Sequence, residues 1–241
     1  STCMSDNIPC PAALNVTVVV PVYRGATSIA ELHRRTSAAL LATGETFEII
    51  FVDDRGSADN WPAIQALSAS HPEVRGVRLS RNFGQHAATL CGMTRAHGDW
   101  IVTIDEDLEQ PPESIPTMLA KAREGHSVVY GVNEQRSHAY WRNITSELGR
   151  SAFKFAIPSL NRDYTSFRVI HRSVAKGLER FQSPFTFIDG YISWITNTYA
   201  TVVVPHDAGL HTSSSYSLRK LLAHMVNIFV TFSDLPLRIA T

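Results

Sequence analysis

The sequence predicts an α/β fold in which a mostly parallel sheet is flanked by helices. Apolar runs rich in Val and Ile recur at 16–22, 47–52 and 100–104, with a shorter strand at 76–80, and a strand covered on both faces reads as such a continuous run. Between them lie stretches of helical spacing on short connections, the alternation that builds a parallel sheet. The runs also end in polar loops at Tyr23, Asp53, Arg81 and Asp105. Open parallel sheets bind ligands beyond the carboxyl ends of their strands, so these loops are expected to converge on one crevice.

Taken in order, VTVVVPV (16–22) leads through Tyr23-Arg24-Gly25 into a helix marked by Ile29, Leu32, Ala39 and Leu40. FEIIFV (47–52) opens into Asp53-Asp54-Arg55-Gly56-Ser57, followed by a helix over 59–69 carrying Trp61, Ile64 and Leu67. GVRLS (76–80) precedes Arg81-Asn82-Phe83-Gly84 and a helix of small residues over 87–96. The fourth strand, 100–104, breaks into Asp105-Glu106-Asp107 and a proline-punctuated turn. SVVYGV (127–132) supplies another strand, 138–157 a helix, FRVI (167–170) a strand and 172–180 a further helix. The segment 192–206 reads as a β-rich return and 217–231 as an amphipathic helix. The expected division is a flexible lead-in at 1–15, a main domain at 16–205 and a separate segment at 206–241, entered through the Ser/Thr run 212–215.

A chain of 241 residues buries a substantial core. Its 22 basic residues balance 22 acidic ones, so there is no global electrostatic case for nucleic acid. Cys3, Cys10 and Cys91 lack metal-ligand spacing, which fits a reducing compartment. No basic region precedes an apolar signal core at the start of the chain, so the sequons at Asn15 and Asn143 read as chance matches. No apolar run reaches the roughly 20 residues that span a bilayer.

The chemistry concentrates in two acidic groups at strand exits, Asp53-Asp54 and Asp105-Glu106-Asp107. Clustered carboxylates repel one another unless a cation neutralises them, and an oxygen-only set suits Mg²⁺ or Mn²⁺. A solvated acidic loop is the plain alternative, and a helix cap is that for Asp53 or Asp54. There is no G-x-G-x-x-G and no P-loop. His86, His97, His138, His171 and His206 show no metal-ligand spacing.

Several stretches in matching order carry a family resemblance: VVVPVY (18–23), FEIIFVDD (47–54), LSRNFGQHAAT (79–89), GDWIVTIDEDLEQPPE (98–113), SFRVIHRSV (166–174) and YSLRKLL (216–222). Together the chain resembles glycosyltransferase family 2, and within it the polyprenyl-phosphate branch of dolichol-phosphate and undecaprenyl-phosphate sugar transferases. The resemblance runs from about Val16 to Ala240. It implies a GT-A fold and inverting, metal-dependent transfer from a UDP- or GDP-linked sugar to a polyprenyl phosphate. By the same resemblance Pro21, Tyr23 and Asp53 contact the nucleoside; Asp54 and Arg81 are further candidates for substrate binding. Asp105 and Asp107 serve the metal and diphosphate, with Glu106 and Gln110 nearby. Arg168 and Arg136 are candidates for phosphate contacts, the alternative for Arg168 being an ion pair with a neighbour such as Asp163. Asp163 is either an orienting or base residue or a turn former. His206, Ser214 and Tyr216 belong to a motif expected to meet the acceptor.

The sequence departs from the family pattern at Arg24-Gly25, where Asn-Glu is common, and at Arg55, where Gly usually follows Asp-Asp. Gly209 replaces an expected Arg and Thr212 an expected Gly, so a difference in acceptor recognition is an expectation. The helix around Arg219 and Lys220 is expected either at a membrane surface, on the cytoplasmic face, or in a core or homo-oligomer contact. Family members often continue into membrane helices past this point. Two rival readings are a transferase acting on a saccharide hydroxyl, with Asp163 or Asp189 as base, and a catalytically silent sugar-nucleotide-binding protein.

Overall fold

The computed structural model describes residues 14–133, 164–181 and 187–205. The described chain forms β1 (Val16–Val22), α1 (Ile29–Leu41), β2 (Phe47–Asp53), α2 (Asn60–Ser70), β3 (Val74–Arg78), α3 (Gln85–Met93) and β4 (Trp100–Thr103). A 3₁₀ turn at Pro112–Ser114 leads into α4 (Ile115–Arg123) and β5 (Val128–Asn133); β6 (Arg168–His171), α5 (Arg172–Leu178), α6 (Ile188–Ile195) and β7 (Tyr199–Val204) complete it.

The strands form one seven-stranded sheet in the order β3-β2-β1-β4-β6-β5-β7. β3, β2, β1 and β4 run parallel. β6 lies antiparallel between β4 and β5, and β5 pairs parallel with β7. All strands except β6 therefore end at the same edge of the sheet, and β6 begins there.

Alternate residues of β1 feed two cores, as a pleat of period two requires. Val18, Val20 and Val22 pack with Ile29, Leu32, Ile64, Ile115 and Met118, the layer of α1, α2 and α4. Val19 packs on the other face with Met93, Tyr130, Ile170, Leu178 and Tyr191, the layer of α3, α5 and α6. Each fully buried valine contributes about 1.5–3 kcal/mol. Helix α3 approaches the sheet unusually closely because of Gly92. A Cβ there would lie 2.4 Å from Val19 Cγ1 and 3.1 Å from Val52 Cγ2.

At the end of the sheet away from the strand exits, the buried Glu48 gathers several donors. It accepts from Thr17 Oγ1 at 2.8 Å, from Arg75 Nη1 at 2.7 Å and from the His97 amide at 2.8 Å. Thr17 Oγ1 in turn accepts from the Gly98 amide. Burial works against ionisation of Glu48, but the bonds from Arg75, His97 and Thr17 prevail and hold its carboxyl below the ordinary range.

The structure corrects the reading of 192–206 as β-rich. Residues 188–195 are helical, and strand pairing starts only at Tyr199. Ile188, Tyr191 and Ile192 are the buried apolar side chains of α6, and their i, i+3, i+4 spacing is helical. The helices expected at 138–157 and 217–231 lie outside the described residues.

Candidate active site

The loops after β1, β2, β3 and β4 meet at the carboxyl edge of the sheet, and side chains bind them to one another. Glu106 holds the first loop: its Oε2 accepts from the Tyr23 amide and its Oε1 from the Arg24 amide, both at 2.8 Å. Gly25 sits against the same carboxylate, and a Cβ there would fall 2.3 Å from Glu106 Oε2. The departure at Arg24-Gly25 is thus matched to this contact. Tyr23, 45% exposed, leaves its ring at the surface, and its carbonyl accepts from Asn60 Nδ2. Pro21 is buried within β1, in register with Val52.

Asp53 and Asp54 have different employment. Asp53 is fully buried; its Oδ1 accepts from the Arg55 amide, while Oδ2 lies 3.2 Å from Arg78 Nε without a hydrogen bond to satisfy it. A buried acceptor in this condition is uncommon and suits a ligand N–H or O–H. Asp54 spends both oxygens on the loop before α3, accepting from the Phe83 amide at 2.7 Å and the Gly84 amide at 2.9 Å. Asp54 thereby buttresses the loop before α3. Neither aspartate caps α2, whose N-cap is Asp59. Arg55 has φ 57°, the left-handed region that favours glycine, which accounts for the family's Gly there. Here Arg55 Nε donates to the Leu79 carbonyl at 2.7 Å. Arg81 is exposed and lies over the Phe83 ring at 4.7 Å.

Asp105 is the hub. Its Oδ1 accepts from Gln85 Nε2 at 2.6 Å; its Oδ2 accepts from Gln110 Nε2 at 3.0 Å and from Ser166 Oγ at 2.5 Å. Gln110 Oε1 accepts from the Asp105 amide, closing a small ring. Burial, with the nearby Asp107 charge, pushes the Asp105 carboxyl up to about 6 against the opposing pull of Ser166, Arg168 and Gln110. Asp107 Oδ1 accepts from the Glu109 amide at 3.0 Å. Between them Leu108 is buried with φ 63°, an uncommon conformation for a branched side chain. Asp105, Asp107 and Gln110 line a solvent-open cleft of about 120 Å³ with Asn133 and Thr165.

Arg168 lies beneath the cleft, already paired. It is 2% exposed, and its Nη1 donates to Asp189 Oδ1 at 2.5 Å, while Tyr130 Oη donates to the same oxygen at 3.2 Å. Its ion-pair partner is therefore Asp189. The same pairing removes Asp189 as a general base, since its carboxylate is sealed beneath the sheet surface. Arg136, Asp163, His206, Ser214 and Tyr216 lie outside the described residues, as do Gly209 and Thr212.

Gln85 and Ser166 were not singled out from the sequence. The available signal was positional: each is a polar residue beside a strand or helix terminus, within stretches already noted for their resemblance. Only the fold shows that both point at Asp105.

The sheet, its crevice and the strand-end acids define a GT-A glycosyltransferase. Residues 17–179 match the Glycosyl transferase family 2 model, and the chain belongs to that family. It is 35% identical over 227 residues to an undecaprenyl-phosphate 4-deoxy-4-formamido-L-arabinose transferase of Pseudomonas aeruginosa, covering 93% of this chain and 67% of the relative. A Pseudomonas paraeruginosa transferase of the same name is also 35% identical over the same shares. Among solved structures, glucosyl-3-phosphoglycerate synthase of Mycobacterium tuberculosis, in complex with Mn²⁺, UDP-glucose and phosphoglyceric acid, gives a TM-score of 0.66 at 17% identity, covering 91% of this chain and 79% of that one. A Pyrobaculum calidifontis mannosyltransferase in complex with GDP-Man and Mn²⁺ gives 0.61 at 18% identity, covering 90% and 63%. These two likenesses carry the fold.

Proposed function

We propose that the protein transfers a sugar, with inversion, from a nucleoside-diphosphate sugar to a polyprenyl phosphate at a membrane surface. The relatives named for undecaprenyl-phosphate transfer support the acceptor class. The observation that carries the donor half is Asp105, fixed by Gln85, Gln110 and Ser166 and paired with Asp107 at the mouth of the cleft.

Asp105 and Asp107 fit a divalent cation, because their like charges are crowded and the raised Asp105 carboxyl is one whose ionised form a cation would stabilise. Their oxygen-only character suits Mg²⁺ or Mn²⁺. Such an ion, when bound, offsets the charge that develops on a departing nucleoside diphosphate. Asp53 Oδ2 accepts from the nucleoside, with the Tyr23 ring beside it, and Glu106 keeps the Tyr23 loop in place. Gln85, Gln110 and Ser166 hold the Asp105 carboxylate in one orientation.

The acceptor phosphate supplies its own nucleophile. Its second pKa near 6 leaves it largely anionic at neutral pH, so an oxygen attacks the anomeric carbon as the bond to the diphosphate breaks, without a protein base. Arg136, His206, Ser214 and Tyr216 are assigned to binding that phosphate, and the 206–241 segment to the headgroup region. For the hydroxyl-acceptor alternative, which needs a base, the occupied state of Asp189 leaves Asp163 as the candidate.

The test is release of nucleoside diphosphate from UDP- and GDP-sugars with Mn²⁺, with and without polyprenyl phosphate. Release that depends on the lipid phosphate is expected with at least one donor. If Asp107→Ala kept both transfer and its metal dependence, the assignment would fail.

A further inference from the structure

Away from the crevice, three side chains from different elements meet. His33 projects from α1 and is 6% exposed; His71 is the C-cap of α2; Glu73 directly precedes β3. His33 Nε2 lies 2.9 Å from Glu73 Oε1, and His71 Nδ1 lies 3.6 Å from the same oxygen. The ligand atoms of all three lie within 4.8 Å of one another, the one such cluster of three or more among the described residues.

We propose that His33, His71 and Glu73 form a structural binding site for a transition-metal dication, Zn²⁺ foremost, with the remaining position open to water. A tetrahedral Zn²⁺ with bonds of about 2.0–2.1 Å separates its ligand atoms by about 3.3 Å. The separations of 2.9 and 3.6 Å to Glu73 straddle that value, and the imidazoles, whose ring centroids lie 4.2 Å apart, are the side chains that would turn to complete the set. Two imidazoles and one carboxylate are a known zinc ligand combination.

The backbone presets two of the ligands. The His71 amide donates to Leu67 O, the Val74 amide to His71 O, and the Ile49 amide to Glu73 O, all at 2.9–3.0 Å. His71, with its side chain 42% exposed, leaves an entry path.

The donor chemistry separates this site from the crevice. Imidazole ligands select Zn²⁺ and its neighbours in the first transition row, whereas the Asp105 and Asp107 oxygens suit Mg²⁺ and Mn²⁺. The ion would tie α1 to the α2–β3 connection at the C-terminal end of α2; the opposite end of that helix reaches the crevice through Asn60. Its effect is therefore on stability.

The test uses the untagged full chain, stripped with EDTA, then dialysed against Zn²⁺ in excess Mg²⁺. Metal content, a chelator-competition dissociation constant and the Tm are read. One retained Zn²⁺ and a Tm rise of about 5 °C are expected, since a ligand that binds only the native state stabilises it. His71→Ala and Glu73→Gln should each weaken binding by roughly 100-fold or more and remove the Tm rise. His71→Ala alters an exposed ring, so it is informative even if His33→Ala does not fold. No retained Zn²⁺ in the wild type would overturn the proposal, leaving a hydrogen-bonded His33–Glu73 pair. Equal affinity in wild type, His71→Ala and Glu73→Gln would overturn it too, because the ion would then sit elsewhere. Neither outcome bears on the transferase reading, which is measured by nucleotide release.

Discussion

At the scale of single residues, Asp105 sets function against stability. Its carboxyl titrates near 6 in the folded protein, against 3.8 for an unperturbed group. Between those values the native state holds a proton that the unfolded state has released, so stability of the metal-free protein should fall as pH rises from about 4 to about 6 and then level. The fall integrates to about 2–3 kcal/mol. Asp105→Asn should abolish that slope in pH-dependent thermal melts, leave the metal-free Tm unchanged or higher, and eliminate transfer. The Gln85 amide needs only to turn over to accept from the new side-chain NH₂. Arg55→Gly tests a smaller conflict: relief of the left-handed φ, worth about 1 kcal/mol, set against loss of the bond to Leu79 O. Urea unfolding should show a change of less than about 1 kcal/mol. Asp105 and Asp107 stand out in the sequence because a buried run ends there in three acids, and the fold places both at the cleft. Asp54 and Arg168 show what was not legible: sequence tells which charges stand near a crevice but not which already hold amides or a buried partner.

Among the elements, α3 is the most exacting. Alanine favours a helix over glycine by about 1 kcal/mol, yet at Gly92 the new Cβ would press on Val19 and Val52, and overpacking costs about 1–3 kcal/mol. Steric pressure should win, so Gly92→Ala is expected to lower Tm. It should also weaken donor binding through Gln85, which α3 carries to Asp105. Glu48→Gln should cost about 2–3 kcal/mol by denaturant unfolding, because it leaves Arg75 without its countercharge and a buried acceptor set incomplete. The contribution of Glu48 is present above the unfolded carboxylate pKa and lost as pH falls through its lowered folded value. Strands β1, β2 and β4 were legible because fully buried strands leave an unbroken apolar run. Helix α6 was not: its apolar run is short, and only packing against Phe181 and the α5 layer decides between helical and extended spacing.

For the whole molecule, the crevice is a property of topology. Parallel strands bring Tyr23, Asp53 and Asp105 to one edge, and this much follows from alternating strands and helices. A nucleoside diphosphate with Mn²⁺ should raise the Tm of the wild type by mass action and fail to do so for Asp107→Ala, read by thermal shift. The reversed strand β6 was not foreseen as reversed, since four to six apolar residues carry no mark of direction.

That reversal has an architectural consequence. The chain leaves β5 at Asn133 and re-enters β6 at Arg168 on the same rim of the sheet, beside Thr165 and the cleft. Whatever is spliced between these anchors need not cross the sheet or alter its hydrogen-bond ladder. Both anchors are thus fixed by the sheet on the rim that carries Asp105 and Asp107, so the β5–β6 connection departs from the cleft and returns to it, while strands β1 to β4 complete the donor side without it.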